Sequence, residues 1–511
     1  KVTTNPARVL SSSGAVTLSA RTDVNLGVIN TGSTVGVTAT NGAITDNTTG
    51  EAANLVGTTA TLSAATGIGG SAAGADIDTT ITTLVATNST SGDIFVQETN
   101  GLVIGGTGVS TLGGNGNINI DVDAGTLTVS AVVTAHGSGD VTLNVDAGSL
   151  TQDATRTISS TSGDIVLTAD SVVQNANITT GTVGTITLAA DNGGITLAQN
   201  VDAGTGDVRI FTTANVNQTG GAITANSLGV RAASGINLNS TTNDANTVAM
   251  LNSTSGSVTY QDSDGFAIGT VTALGAFTPD VNGISNPTRN VTLNSGGAVT
   301  QTQPIMASGL ELLGAGPYTL TNMSNDVATI AATGPTGVSY TDSNALAVGV
   351  VGGTTGMTVG GNILLTTLGG GALNINQPVT TTANGNVTLN NAGQLTVNAA
   401  ITADGDVIQN GAGITLLQNN ITTTNDLVQF LQAVLLSGNR SIDTSSAPAG
   451  GTFGGRIHFA NTVNGGGNTL TLTTPGATGD VLFSQAVSNL SALTIVNAAN
   501  IDVAGSITTN A

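Results

Sequence analysis

The sequence contains no cysteine and no tryptophan, and it has few charged residues. Without cysteine the chain can form neither a disulfide framework nor a thiolate metal site. Charged residues make up 8% of the chain, against about 25% in an average soluble protein. Disordered chains are instead rich in charge and poor in Val and Ile, so the composition excludes that class.

Basic residues are especially scarce: nine Lys and Arg stand against 30 Asp and Glu, and the net charge is −21. Nucleic-acid binding depends on Lys and Arg that neutralise phosphates, so we expect no nucleic-acid partner. The longest apolar run, residues 345–351, is far shorter than the roughly 18 residues of a membrane-spanning helix. We therefore expect no membrane insertion.

What the chain has in abundance is glycine, 71 residues, together with Thr, Asn, Ala, Ser and Val. Val and Thr favour strands, whereas Gly, Asn and Asp favour tight turns. The composition is typical of an all-β protein built from many short strands. A string of β-sandwiches is the alternative all-β fold, but it would need longer strands and larger aromatic residues in its core.

A short phrase, glycine followed by alternating apolar residues, recurs along the chain at intervals of 23, 24, 21 and 22 residues. Five consecutive copies open at Gly116, Gly139, Gly163, Gly184 and Gly206. Alternation as in Val141, Leu143 and Val145 places one face of each strand in the core. A period near 22 residues predicts a right-handed parallel β-helix (β-solenoid) of roughly 20 to 24 coils.

We expect residues 14–511 to form one continuous parallel β-helix. Residues 1–13 are predicted to be an entry segment that continues from or into a longer chain. A longer repeat is superimposed on the short one, because segments 82–105, 246–269 and 326–349 share one skeleton and are predicted to be copies of one module.

The stretch NDLVQFLQAVLLS, residues 425–437, has the composition of a helix. Its flanks are rich in turn-forming residues, and its two apolar runs each have the length of a strand. We predict strands here rather than a helix.

Calcium is the one cofactor that the phrase suggests. Asp140 and Asp164 each follow the opening glycine, and the predicted register stacks them about one coil apart. Two such carboxylates can accept N–H bonds from turns or share a hard cation. The tandem nonapeptide of calcium-binding rolls is absent, so turn capping is favoured over a calcium site, and no other cofactor is expected.

No catalytic residues are predicted. Asp121 and Asp123 would lie about 7 Å apart on one strand face, a separation that suits glycoside hydrolysis. Their sequence, DVDAG, returns almost unchanged at 144–148 and 200–204, which favours a turn device over an active site. The two histidines, His136 and His458, are far apart and are interpreted as surface or turn residues.

The repeats resemble a known family. GAVTLSA (14–20), GDVTLNVDAGSLTQDA (139–154) and GNVTLNNAGQLTVNAAITADGDVIQNGAGITL (385–416) are similar to the repeat regions of filamentous-haemagglutinin-like bacterial exoproteins of the two-partner-secretion type. The resemblance covers essentially residues 14–511. It implies a β-strand-repeat surface adhesin, displayed outside the cell in adhesion, biofilm or a surface fibre.

From these observations we expect a non-enzymatic, structural or adhesive element of an extracellular fibre or exoprotein shaft. Its expected partners are other copies of itself, end to end or side by side in filaments, and host or cell-surface glycans. A polysaccharide-binding or polysaccharide-cleaving β-helix enzyme is the alternative. An ice-binding β-solenoid ranks third, because Thr-x-Thr runs such as 469–474 do not recur at one register.

Overall fold

The computed structural model describes residues 1–4, 10–446 and 454–510. Within these residues the protein is all-β, without a helix, and its parallel strands stack into a β-solenoid of about 22 turns. The predicted parallel β-helix is confirmed. The chain divides into two compact units, the first made of residues 1–256 with 270–281 and the second of residues 257–269 with 282–511.

The first half of the chain consists of short strands joined by turns. Up to residue 256 the strands are Val2–Thr3, Leu10–Ser12, Val16–Ala20, Val24–Leu26, Ile29–Thr31, Thr34–Ala39, Ile44–Asp46, Leu55–Val56, Thr59–Ala64, Ile77–Thr80, Thr83–Asn88, Ile94–Glu98, Leu102–Thr111, Ile118–Val122, Leu127–Val129, Val133–Ala135, Val141–Val145, Ser149–Gln152, Ile158–Ser160, Ile165–Ala169, Ser171–Gln174, Ile178–Thr180, Ile186–Ala190, Ile195–Leu197, Val201–Asp202, Asp207–Thr212, Val216–Gln218, Ile223–Ala232, Ile236–Leu238 and Asp244–Asn252.

The second half follows the same pattern. Beyond residue 256 the strands are Val258–Asp262, Ala267–Ile268, Thr270–Val271, Val281–Asn282, Ile284–Ser295, Val299–Gln301, Ile305–Gly314, Tyr318–Leu320, Asp326–Thr333, Val338–Asp342, Leu346–Val348, Val350–Val351, Thr354–Thr355, Met357–Val359, Ile363–Thr367, Leu373–Ile375, Val379–Thr381, Val387–Asn390, Leu395–Val397, Ile401–Ala403, Val407–Gln409, Thr415–Leu417, Ile421–Thr423, Val428–Phe430, Val434–Leu436, Arg440–Asp443, Ile457–Phe459, Val463–Asn464, Thr469–Thr473, Asp480–Phe483, Val487–Leu490, Ala492–Val496, Asn500–Val503 and Ile507–Thr509.

The repeated phrase keeps one register from coil to coil. Ile118 is paired with Val141, Val141 with Ile165, and Ile165 with Ile186, all in parallel strands. These four side chains are buried in the core. The residues that alternate with the buried ones along each strand face outward. The predicted alternation is therefore confirmed, and it builds continuous columns of apolar side chains inside the solenoid.

Glycine opens the phrase because the corners of successive coils leave no space for a side chain. A Cβ on Gly163 would overlap the carbonyl oxygen of Gly139, and a Cβ on Gly139 would overlap that of Gly116. These glycines are needed for close backbone approach.

The stretch 425–437 is strand, as predicted, with Val428–Phe430 and Val434–Leu436 separated by a turn. Phe430 stacks on Phe459 of the next coil at a ring-centroid distance of 5.5 Å, and Phe459 stacks on Phe483 at 5.3 Å. The parallel register brings equivalent aromatic residues together at this level of the core.

The three segments of the longer repeat each contain a five-residue strand that ends in a buried acid. These acids are Glu98, Asp262 and Asp342, each no more than 2% exposed. Asp342 Oδ2 accepts hydrogen bonds from the Val327 N–H and the Tyr340 hydroxyl, both at 2.9 Å. Burial raises the pKa of both Glu98 and Asp342. The acid that the sequence places at a turn is therefore buried, and its carboxylate accepts hydrogen bonds from the neighbouring backbone.

Each unit also carries one inserted loop that packs on the outer face of its coils. In the first unit, Phe277 of the loop 270–281 is buried with Val271 against Ala249. Gly229 lies beneath this loop, and a Cβ there would stand 2.7 Å from Phe277 Cζ. Small residues on the outer face therefore make room for the loop.

A buried charged side chain binds the backbone of each loop. Arg209 of the first unit donates from Nε to the Thr272 carbonyl oxygen at 2.9 Å. In the second unit, Glu311 Oε1 accepts the N–H groups of Gly353 and Thr354, both at 3.1 Å. A positive and a negative side chain therefore have the same role, because Arg209 donates to a backbone carbonyl oxygen and Glu311 accepts from backbone N–H groups.

We predict that Gly163→Ala destabilises the protein by about 1–3 kcal/mol or more, because the new Cβ forces two coils apart. The matched control is Gly32→Ala, since nothing lies within 4 Å of the Cβ position of Gly32. Urea unfolding followed by circular dichroism should show a lower midpoint for the first variant only. Equal midpoints would contradict this account of the corner glycines.

We also predict that Glu311→Ala releases the loop at residues 350–355, because two N–H groups lose their acceptor at a cost of about 1–3 kcal/mol. Hydrogen exchange should become faster at the Gly353 and Thr354 amides. Glu311→Gln is the control, since its amide oxygen can still accept both bonds. Unchanged exchange in the alanine variant would show that Glu311 does not hold the loop.

Candidate functional site

The two aspartates considered for calcium lie one coil apart and form part of a ladder of hydrogen bonds at a corner. Asp140 Oδ1 accepts the Asp164 N–H at 2.8 Å, and Asp164 Oδ1 accepts the Thr185 N–H at 2.6 Å. One coil earlier, Asn117 Oδ1 accepts the Asp140 N–H at 2.8 Å. Since an uncharged asparagine fills the same place, the position requires an oxygen acceptor and not a charge. Both aspartates have the turn-capping role favoured above.

The same ladder recurs in the second unit. The side-chain oxygens that accept an N–H from the following coil there belong to Asn362, Asn386 and Asp406. Capping by Asp or Asn after the corner glycine is therefore a general device of this solenoid.

Both histidines take part in hydrogen bonds between coils. His136 Nδ1 lies 2.8 Å from the Gly114 carbonyl oxygen. His458 lies between Gln429 Nε2, 2.9 Å from its Nδ1, and Ser484 Oγ, 3.0 Å from its Nε2. Burial, followed by the charge of Arg456, lowers the pKa of His458. His136 is exposed, as expected of a surface residue, whereas His458 is half-buried in the strand Ile457–Phe459.

The threonine runs do not build a continuous threonine face. Thr471, in the run 469–474, is flanked in neighbouring coils by Ser441 and Thr494. Thr128 is flanked by Val103 and Thr151. Val103 interrupts the column of hydroxyl groups beside Thr128, whereas Ser441 and Thr494 continue it beside Thr471.

The most distinctive site is a cavity of about 330 Å³ on the first unit, which we call the acidic cavity. The polar residues that line it include Glu51, Asp76, Gln97, Asn119 and Asp121. The turn at residues 70–74 forms another part of its wall. None of its lining residues, among those that the structure describes, is lysine or arginine.

Strand register explains how these side chains come together. Asp78 is paired with Gln97, and Gln97 with Asp121, so the three occupy one outward column across three coils. Alternation sends their neighbours, such as Ile77 and Val96, into the core. Asp78 nevertheless has only 5% of its surface exposed. This column places the buried carboxylate of Asp78 beside Gln97, which lines the acidic cavity.

Three carboxylates converge at the edge of this cavity. One carboxylate oxygen from each of Glu51, Asp76 and Asp78 lies within 4.8 Å of the other two. Asp78 Oδ2 is buried and has no hydrogen-bond partner among the described residues. Burial, and then the charges of Asp76 and Glu51, raise the pKa of Asp78 to about 7. Such a set of oxygens can bind a hard cation or hold a proton.

Asp121 and Asp123 both form hydrogen bonds between coils, and Asp121 also lines the acidic cavity. Asn144 donates from Nδ2 to Asp121 Oδ1 at 2.8 Å, and Gln97 donates from Nε2 to Asp123 Oδ1 at 2.8 Å. At 121–125 and 144–148, two copies of the pattern are therefore joined by an amide–carboxylate bond between coils. Asp121 also lines the acidic cavity, and burial raises its pKa.

Sequence reasoning missed Glu51, Asp76 and Asp78. Glu51 and Asp76 lie where the repeated phrase is interrupted, in the irregular stretches around residues 47–54 and 69–76, and Asp78 lies in the strand Ile77–Thr80 that follows. Two signals were available: the glycine-rich GGSAAG at 69–74 and the closely spaced acids of ADID at 75–78. A break in a regular repeat that contains acidic residues is the pattern that could have identified them.

No family model, curated protein or solved structure matches this chain. Within the residues that the structure describes, no helix is long and apolar enough to cross a bilayer. The functional proposals below therefore depend on the fold and the geometry of its surface.

We predict that Asp78→Asn becomes more stable relative to the wild type as the pH rises from about 4 to about 7. An unfolded aspartate titrates near a pKa of about 3.9, whereas Asp78 in the folded chain has a pKa of about 7. In this window the folded state holds the extra proton, so the stability of the wild type falls with rising pH. Asparagine does not titrate and removes that loss.

Urea unfolding in buffers free of divalent cations, repeated across this pH range, measures the difference. Asp140→Asn is the control, because Asp140 is exposed and its capping oxygen is retained. If the difference in unfolding free energy between the wild type and Asp78→Asn does not change with pH, the expected destabilisation by the ionised Asp78 carboxylate is contradicted.

Proposed function

We propose that this chain is a structural and adhesive element of a bacterial extracellular surface fibre or exoprotein shaft, and not an enzyme. The observation that carries the proposal is the use of polar side chains at repeating positions to bind the next coil. Asp140, Asp164 and Asn386 cap backbone N–H groups in this way. A surface whose polar groups are used for its own cohesion suits a scaffold.

The arrangement of the coils supports a load-bearing role. Backbone groups pair in parallel between successive coils, as in the bond from the Val141 N–H to the Asp164 carbonyl oxygen at 2.8 Å. Separating two coils therefore requires many hydrogen bonds to break together. The few charged residues, 8% of the chain, also keep repulsion between stacked coils low.

The outer face supports an adhesive role. Between the buried positions of the strands lie partly exposed Thr and Asn residues, as at Asn119, Thr142 and Thr168. Hydroxyl and amide groups in regular array can exchange hydrogen bonds with glycan hydroxyls, and many weak contacts give strong retention through multivalency. We propose host or cell-surface glycans as partners, and other copies of the chain as a second class.

We predict that beads coated with the folded chain are retained on glycan-bearing cells or immobilised glycans more strongly than albumin-coated beads. Beads coated with Gly163→Ala form the matched control, because this variant disturbs coil stacking but leaves the outer polar side chains in place. Its retention should be lower. Wild-type retention no greater than that of albumin on every surface would argue against adhesion.

The acidic cavity favours a second candidate, binding or cleavage of a polysaccharide. Asp76 and Asp121 line it, and the raised pKa of Asp121 suits a proton donor. In the bead experiment, the soluble chain is therefore also incubated with a panel of neutral and acidic polysaccharides. We expect no cleavage. Reproducible turnover that Asp121→Asn abolishes would reverse the order of the two candidates.

A further inference from the structure

Next to the acidic cavity lies a buried carboxylate, Asp78, one oxygen of which has no hydrogen-bond partner among the described residues. Asp78 has 5% of its surface exposed, and its Oδ2 accepts no hydrogen bond from any described residue. An unpaired buried carboxylate is costly, and such groups in proteins are normally paired or coordinate a metal. The nearest charged groups, Glu51 and Asp76, carry the same sign and increase the cost.

The position of this carboxylate is well defined. Asn54, itself fully buried, accepts the Asp78 N–H at its Oδ1 at 2.9 Å. The Asn54 N–H donates in return to the Asp78 carbonyl oxygen at 2.8 Å. This reciprocal pair, together with the strand pairing of Asp78 to Gln97, fixes the backbone that presents the carboxylate.

The turn at residues 70–74 is shaped around Glu51. Gly74 has a φ of +65°, in the left-handed region, and a Cβ at this residue would lie 3.1 Å from Glu51 Oε1. Glycine therefore lets the turn approach the carboxylate closely. Asp76 follows directly and lines the same cavity.

The spacing of the three acids matches a hard divalent cation. Calcium takes six to eight oxygen ligands at about 2.3–2.6 Å, so two oxygens on one ion can stand at most about 5 Å apart. The three carboxylate oxygens lie within 4.8 Å of one another. The cavity of about 330 Å³ leaves space for water molecules to complete the coordination.

We propose that Glu51, Asp76 and Asp78 form a calcium-binding site, distinct from the capping aspartates Asp140 and Asp164. Calcium is preferred to magnesium because three carboxylates on an irregular surface suit its flexible coordination, whereas magnesium demands a near-ideal octahedron and usually keeps several waters. The bound ion would neutralise Asp78 and tie the irregular stretches 47–54 and 69–76 to the regular coils.

This site does not depend on the adhesive function, and calcium binding can be measured on the full chain directly. The test is isothermal titration calorimetry with calcium chloride, after chelator treatment and buffer exchange. We expect a single saturable site in the wild type. Asp78→Asn and Glu51→Gln should each weaken binding at least about tenfold, or about 1.4 kcal/mol. Asp140→Asn, which keeps its capping oxygen, should bind as the wild type does.

Glu51 is exposed, so Glu51→Gln keeps the test decisive if Asp78→Asn does not fold. Calcium should also raise the thermal unfolding midpoint of the wild type and of Asp140→Asn, but much less that of Glu51→Gln. The proposal is overturned if the wild type shows no saturable calcium binding at millimolar concentration. It is also overturned if Glu51→Gln binds as tightly as the wild type, if Asp140→Asn loses binding, or if magnesium chloride binds as tightly as calcium chloride.

Discussion

Parallel pairing of each coil with the coil before it is the interaction on which the rest of this structure depends. Backbone N–H and carbonyl groups are satisfied only if successive coils keep the same register. Each residue of the phrase must therefore pack against the residue at the same position of the next coil. At the corners this requirement becomes steric, since Gly163 and Gly139 approach too closely for any side chain. The glycine of the phrase is thus a consequence of stacking.

The same constraint organises both faces of the strands. Inside, it places Ile118, Val141 and Ile165 in one apolar column. Outside, it places acceptor oxygens next to N–H donors of the following coil, and this is why Asp and Asn alternate freely after the corner glycine. Most acidic side chains of the phrase therefore stabilise the fold by capping, the role that the sequence favoured over calcium binding.

Distinctive chemistry occurs where the repeat is broken. A buried charged side chain binds each of the loops 270–281 and 350–355, Arg209 and Glu311 respectively. The irregular stretches around 47–54 and 69–76 supply Glu51 and Asp76, and the regular strand Ile77–Thr80 supplies Asp78, the third acid of the proposed calcium site. A regular coil carries the same types of side chain as its neighbours at equivalent positions. An interruption of the repeat can add a side chain that has no equivalent in the neighbouring coils.

The sequence by itself determined the all-β class, the parallel β-helix and the strands at 428–430 and 434–436, because the spacing of apolar residues reports directly on which face is buried. It also indicated that Asp140 and Asp164 cap turns, since that role is local and repeats with the period. Only the tertiary structure decided that Glu51 meets Asp76 and Asp78. Their meeting depends on how irregular turns fold over an outward column, and no periodic pattern in the chain encodes that path.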